Sequence, residues 1–344
     1  MKAKISILCQ ALWFAFLIIP FARISAEDHV TDLPTVVSAY VSDDEFNPGD
    51  FEWMRGAFPD ASADEKSAYE ELRTWLESCS DGEKLLVRAE LADVGYADIE
   101  LPGESVTTDF CAQFEIRPPL DAYASFADFV AAVHRVGPLA DGIAAAGALA
   151  QSLASRPDDT LAGELHVRTI GDQVVRNALS WDRLEDAPVR LPQISSRDVA
   201  AYQTILLAHM TRLDRANTQW LSEIVERDGW PTISKVGEDA SRKAWLLVQH
   251  ADHDPVFQLK VLRIMEPLLA SEDVSARDYA YLYDRVMLKL AYRQRYGTQV
   301  TCEEGQRIAL PLEDPARLDQ LRTGMQLEPF AEYLTWFSVP CPTE

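Results

Sequence analysis

Apolar positions recur along most of this chain at spacings of three and four residues, the period of an α-helix with one buried face. Over residues 125–136, Phe126, Phe129, Val130 and Val133 share one side. Ser62 with Glu65, and Ser80 with Glu83, have the spacing of capping boxes, in which hydroxyl and carboxylate satisfy free amides reciprocally. They predict one helix through Trp75 to about residue 78 and a second through Leu85, Leu86 and Leu91. Proline suits the first helical turn. Pro138 is expected to open an alanine-rich helix to about residue 154, and Pro157 one through Leu161, Leu165, Ile170, Val174, Val175 and Leu179.

Residues 186–195 hold Pro188 and Pro192 and little periodicity, so they form the expected internal boundary. Ser195 and Asp198 then start a long helix through Tyr202, Ile205, Leu206, His209 and Leu213. A separate, shorter helix is expected over residues 220–226, stopped at Asp228-Gly229. Further helices are expected over 240–250, 255–269 and 275–292, with two short ones near 315–322 and 328–336. Strand signals are few; residues 106–108 and 114–116 suggest a small hairpin. The fold class is therefore mainly α. A multi-helix, bundle-like C-terminal domain at 193–344 is preceded by a smaller helical N-terminal region at 61–187.

The ends add a compartment. Lys2 and Lys4 precede an apolar stretch over residues 5–21, and Ile24-Ser25-Ala26 closes it with small residues. This is the pattern of a cleaved export signal over residues 1–26, pointing to the periplasm or the extracellular space. The apolar run is short for a membrane span. Residues 27–60 are an acidic arm, expected to be extended or loosely docked, with Phe51, Trp53, Met54 and Phe58 as its anchors. Four cysteines follow the leader. In an exported chain an even count suggests disulfides, and Cys79–Cys111 with Cys302–Cys341 keeps each pair within one region. The formal charge is −23, and −26 once Lys2, Lys4 and Arg23 leave with the leader. Such a surface repels nucleic acid and anionic headgroups as bulk partners.

The densest chemistry lies in Gln249-His250-Ala251-Asp252-His253-Asp254. Pro255 disfavours helical backbone at Asp254 and suits a new first turn, so Asp254 is expected to cap the next helix. That leaves Gln249, His250, Asp252 and His253 at a helix end and a bend. His250 or His253 is a candidate general acid or base, with Asp252 or Asp284 as orienter. A metal held by His250, His253 and Asp252 lacks a fourth ligand nearby, and no metal site or cofactor is assigned. Arg285, next to Asp284, is a candidate anion clamp, although an ordinary surface ion pair is the simpler reading. Tyr296, Thr298 and Gln299 lie on a loop where Gly297 can turn, and are candidate ligand contacts. A GxSxG elbow, an HExxH helix, a GxxxxGK loop and a GxGxxG loop are all missing from the sequence.

A series of separated motifs carries a likeness. Gly229-Trp230-Pro231-Thr232, Val236-Gly237-Glu238, the QHADHD stretch, Tyr283-Asp284-Arg285-Val286 and Tyr296-Gly297-Thr298-Gln299 occur in this order. Pro311-Leu312-Glu313-Asp314-Pro315 and Leu327-Glu328-Pro329-Phe330 follow. Over about residues 196–334 the chain resembles a bacterial family of unknown function, domain of unknown function 6624. It departs from the family pattern at Ala291-Tyr292-Arg293-Gln294-Arg295, where Gly-basic-Pro-Gln is usual, and at Leu321-Arg322, where two arginines are usual. The resemblance groups the QHADHD bend, Asp284-Arg285 and the YGTQ loop, and brings no activity with it. The expected function is a cell-envelope ligand-binding or interaction module, taking a small-molecule or envelope ligand in a polar pocket around the bend. The alternative is a hydrolase-like enzyme using His250 or His253 as base, Asp252 or Asp284 as orienter and Arg285 as clamp.

Overall fold

Ser62 and Glu65 form the reciprocal cap their spacing predicts: the Ser62 amide donates to Glu65 at 2.7 Å and the Glu65 amide to Ser62 Oγ at 3.3 Å. The structure, a computed structural model, describes residues 33–42, 45–93, 95, 114, 120–154, 160–181, 187, 194–337 and 340–341. Helix α1 (Thr35–Ser38), a two-residue antiparallel pair β1 (Val41–Ser42) and β2 (Glu45–Phe46), and a 3-10 turn (Glu52–Ala57) come first. Phe51, Trp53, Met54 and Phe58 are buried, so this acidic segment is packed into the body by its aromatic side chains.

Helix α2 (Ala63–Asp93) runs through the expected break near residue 79. A Ser–Glu pair permits a helix start, but it does not force the preceding turn to end. Likewise Pro138 lies inside α3 (Phe126–Ala154) rather than opening a helix. Gly137 before it has no Cβ to meet the proline ring, which relieves the usual pre-proline clash. Thr160 caps α4 (Leu161–Ala178), accepting from the Gly163 amide. Ser195 caps α5, which is continuous over Ser196–Asp228 and ends at Gly229 with φ +75°. The expected gap between residues 213 and 220 is therefore helix. Its polar side chains mimic a loop in the hydrophobic pattern.

Helices α6 (Ile233–Val236), α7 (Glu238–Gln249), α8 (Pro255–Met265) and α9 (Ala276–Ala291) follow, with a 3-10 turn (Glu266–Ser271) after α8. Strands β3 (Val300–Glu303) and β4 (Gln306–Ala309) form an antiparallel hairpin. Its turn residues Glu304 and Gly305 both have positive φ, as a two-residue hairpin of native twist requires. Four residues per strand, with β3 mostly exposed and β4 mostly half-buried, are too few to show a period-2 pattern in the sequence. Helices α10 (Leu318–Gly324) and α11 (Phe330–Leu334) close the fold. Cys302–Cys341 is a disulfide, as expected, tying β3 to the tail. Cys79 is also disulfide-bonded. Its expected partner Cys111 and most of the suggested hairpin near 106–116 lie outside the described residues. Among the described residues no helix is long and apolar enough to cross a membrane.

Apolar burial falls into two clusters. One gathers Phe46, Phe58, Phe126, Phe129 and Tyr202; the other gathers Leu91, Trp230, Leu247, Val261 and Val286. Helices α4 and α5 belong to both. Val175 and Ala178 of α4 join the first cluster and Leu165 the second; Tyr202 and Leu206 of α5 join the first, Leu221 and Val225 the second. The middles of these two helices cross the seam between the clusters, and the buried polar residues Thr169, Asp172, Asn217 and Thr218 lie on those stretches.

Candidate functional site

Asp172 of α4 is 1% exposed. Its Oδ1 is 2.9 Å from His250 Nδ1 and accepts from Arg176 Nε at 2.9 Å; its Oδ2 accepts from Gln173 Nε2 at 2.8 Å. Burial alone would raise its pKa, but the His250 contact and the Arg176 charge hold it below the usual carboxylate range. An ionised carboxylate can only accept, so His250 Nδ1 carries the proton in this contact and Nε2 is left with the lone pair when the ring is neutral. His250 sits at the C-cap of α7, where the helix yields to the bend, and its side chain is 14% exposed.

Arg176 reaches a second carboxylate, donating from Nη2 to Asp214 Oδ1 of α5 at 2.5 Å. Burial pushes Asp214 up to about 7, against the Arg176 charge, with Asp172 and Asp252 adding repulsion. Two carboxylates thus share one guanidinium. Ligand atoms of Asp172, Asp214 and His250 lie within 4.8 Å of one another. The guanidinium of Arg176 already pairs with both carboxylates. Of the three metal candidates read from the sequence, only His250 belongs to this group.

The bend itself is fixed by Asp254, which caps α8 by accepting from the Phe257 amide at 2.8 Å, as expected from Pro255. Asp252 does not orient His250. Its carboxylate accepts from Arg285 Nε at 2.8 Å and also from Arg285 Nη2 and Lys289 Nζ. Lys289 Nζ donates further to the Asp252 carbonyl at 2.9 Å. Burial would raise the Asp252 pKa, but these two cations hold it far below the usual range. Gln258, fully buried, donates to the Val248 carbonyl at 2.9 Å and so closes the last turn of α7. Gln249 is buried, and its Nε2 has no hydrogen-bond partner among the described residues. His253 is half-buried in the bend.

Asp284 and Arg285 are adjacent on α9, but a helix turns about 100° per residue, so they serve different neighbours. Arg285 meets the bend. Asp284, with no exposed surface, accepts from the backbone amides of Arg295, Tyr296 and Thr298 at 2.8–2.9 Å. Burial raises its pKa and these three donors oppose the rise. The loop is held from other sides too. Buried Arg322 donates to the Tyr296 carbonyl at 2.7 Å, Tyr333 Oη to the Thr298 carbonyl at 2.7 Å, and the Gln299 amide to Gln294 Oε1 at 3.0 Å. The polar groups of Asp284 and of the Tyr296–Thr298 backbone are therefore committed to the loop. Beside it lies an open cleft of about 480 Å³ whose lining includes Arg295, Tyr296, Glu313 and Arg317.

A family model described as a family of unknown function (DUF6624) matches residues 163–338. The chain belongs to this family. No curated protein and no solved structure matches the chain. The DUF6624 match begins in α4, well before the stretch that carried the likeness in the sequence. It therefore takes in Asp172, Arg176 and Asp214 together with His250, Asp252, Asp284 and Arg285. The first three were not singled out from the sequence, because an aspartate or arginine inside a helix reads as solvated surface. One signal was present: Asp172 stands seven residues after Leu165 and three before Val175, on the apolar stripe of its own helix.

Proposed function

We propose that His250 is the acid–base group of a hydrolase-like site, with Asp172 as its orienter. The observation that carries this reading is the 2.9 Å contact between His250 Nδ1 and a carboxylate buried to 1% exposure. A buried carboxylate fixes the ring and its tautomer and leaves Nε2 to exchange a proton with water or substrate. Asp214, raised to about 7, is a second group able to give or take a proton near neutral pH. In this reading residues 1–26 export the protein to the periplasm or the outside of the cell, which the Cys302–Cys341 disulfide supports.

The test uses mature protein with p-nitrophenyl acetate and p-nitrophenyl phosphate. Wild type is expected to turn over at least one of them. His250→Gln should lose about 10²–10⁴-fold in kcat while remaining folded at the assay temperature, as read by circular dichroism. Equal turnover by wild type and His250→Gln would remove the reading.

A second reading, a non-catalytic envelope ligand-binding module, is favoured by the open cleft beside Tyr296, whose wall carries both charge signs. It predicts ligand binding that His250→Gln leaves intact.

A further inference from the structure

Arg285 and Lys289 stand one turn apart on α9, and both donate to a single carboxylate, Asp252. Two cations on one carboxylate leave that group with one positive charge over. The arrangement sits two residues along the same bend from His250. Asp252 has more access to solvent than Asp172 and Asp284. Its side chain is 44% exposed, whereas Asp172 is sealed at 1% and Asp284 is fully buried. A structural tether between two helices needs no such opening.

We infer that Asp252 is a built-in occupant of an oxyanion subsite, and that a carboxylate- or phosphate-bearing ligand takes its place on Arg285 and Lys289. The geometry suits exchange. Arg285 presents Nε and Nη2 as a fork to the two Asp252 oxygens, the edge by which a guanidinium takes an external carboxylate or phosphate. Lys289 keeps partners when the Asp252 carboxylate leaves, because Nζ also donates to the Asp252 carbonyl at 2.9 Å and to Gln258 Oε1 at 3.4 Å. The main chain of the bend stays anchored by that carbonyl contact while the side chain swings toward solvent. The ligand's anionic group would then be held on the same bend as His250, two residues along it. The inference rests on the acid–base reading for its purpose, and it names the class of ligand that site takes: a small molecule with an oxyanion group.

The test measures anion binding by calorimetry, with inorganic phosphate in one arm and acetate in the other to separate a phosphate ligand from a carboxylate. Asp252→Asn removes the internal competitor and should bind one of the two about tenfold or more tightly than wild type. Arg285→Gln should bind neither. If Asp252→Asn binds neither anion more tightly than wild type, Asp252 is a tether and the inference falls. Should Asp252→Asn not fold, the wild-type thermal midpoint decides. A rise with phosphate or acetate beyond that with chloride at equal ionic strength, lost in Arg285→Gln, upholds the subsite; no such rise overturns it. Turnover that depends on His250 without any anion binding would leave the acid–base reading standing and remove this inference alone.

Discussion

Asp172 and His250, 78 residues apart in sequence, meet at 2.9 Å across the seam between two apolar clusters. Asp172 is 1% exposed, while the His250 side chain keeps 14% of its surface. A carboxylate sealed at one end and an imidazole open at the other is the arrangement in which a protein can hold a proton acceptor in a set direction.

Removing that carboxylate is costly. Asp172→Ala leaves His250 without its carboxylate and Arg176 with Asp214 alone, and a loss of about 1–3 kcal/mol is expected, as for buried donors left unsatisfied. Asp172→Asn keeps shape and one acceptor oxygen and should lose less. Urea unfolding of the two variants beside wild type at one pH measures the difference.

Asp214 gives the protein a pH dependence of definite sign. Its folded-state pKa, about 7, lies above the unfolded value near 3.8. The folded state therefore binds the proton more tightly, and stability from this group is complete below about pH 4 and is lost as pH rises to about 7. Asp278, raised by burial to about 6, acts in the same direction. The slope from one such group is at most about 1.4 kcal/mol per pH unit. Unfolding free energies at several pH values between 4 and 8 should show the decline, and Asp214→Asn should flatten it. An unchanged slope in that variant would assign the decline to other groups.

Asp284 holds the loop over residues 295–298 through three amides. In Asp284→Asn one acceptor becomes an NH₂ that faces an N–H donor, at an expected cost of about 2–4 kcal/mol. The amides of Arg295, Tyr296 and Thr298 should then exchange hydrogen faster than those of α5, as read by exchange mass spectrometry. Equal protection before and after the substitution would show that Arg322 and Tyr333 suffice to hold the loop.

The Cys302–Cys341 bond closes a segment with a sequence separation of 39. On the chain-entropy model its removal costs about 4 kcal/mol. Cys302→Ser with Cys341→Ser should lower the unfolding midpoint while leaving the contacts of His250 in place, which the histidine ring signals in an NMR spectrum would report.

The sequence by itself determined the helical class, most caps and the bend before α8. These are local matters: a hydroxyl three residues before a carboxylate, a proline after an aspartate, an apolar stripe at helical period. Where local signals allow two outcomes, sequence could not choose. The Ser80–Glu83 pair permits a start that the continuous α2 does not use, and Pro138 is tolerated inside α3 because Gly137 precedes it. The candidate site shows the same limit. His250, Asp252, Asp284 and Arg285 stand out as a polar cluster and a charged pair, but their partners are set by packing. Asp284 turns inward to loop amides, Asp252 is taken by two cations, and the carboxylate on His250 comes from α4. The polar run 214–218, which interrupts the hydrophobic period and looks like a gap between helices, is continuous helix with Asp214 bonded to Arg176 in the seam. Periodicity records which residues are apolar. Only the crossing of α4 and α5 between two cores decides that these polar ones are buried against each other.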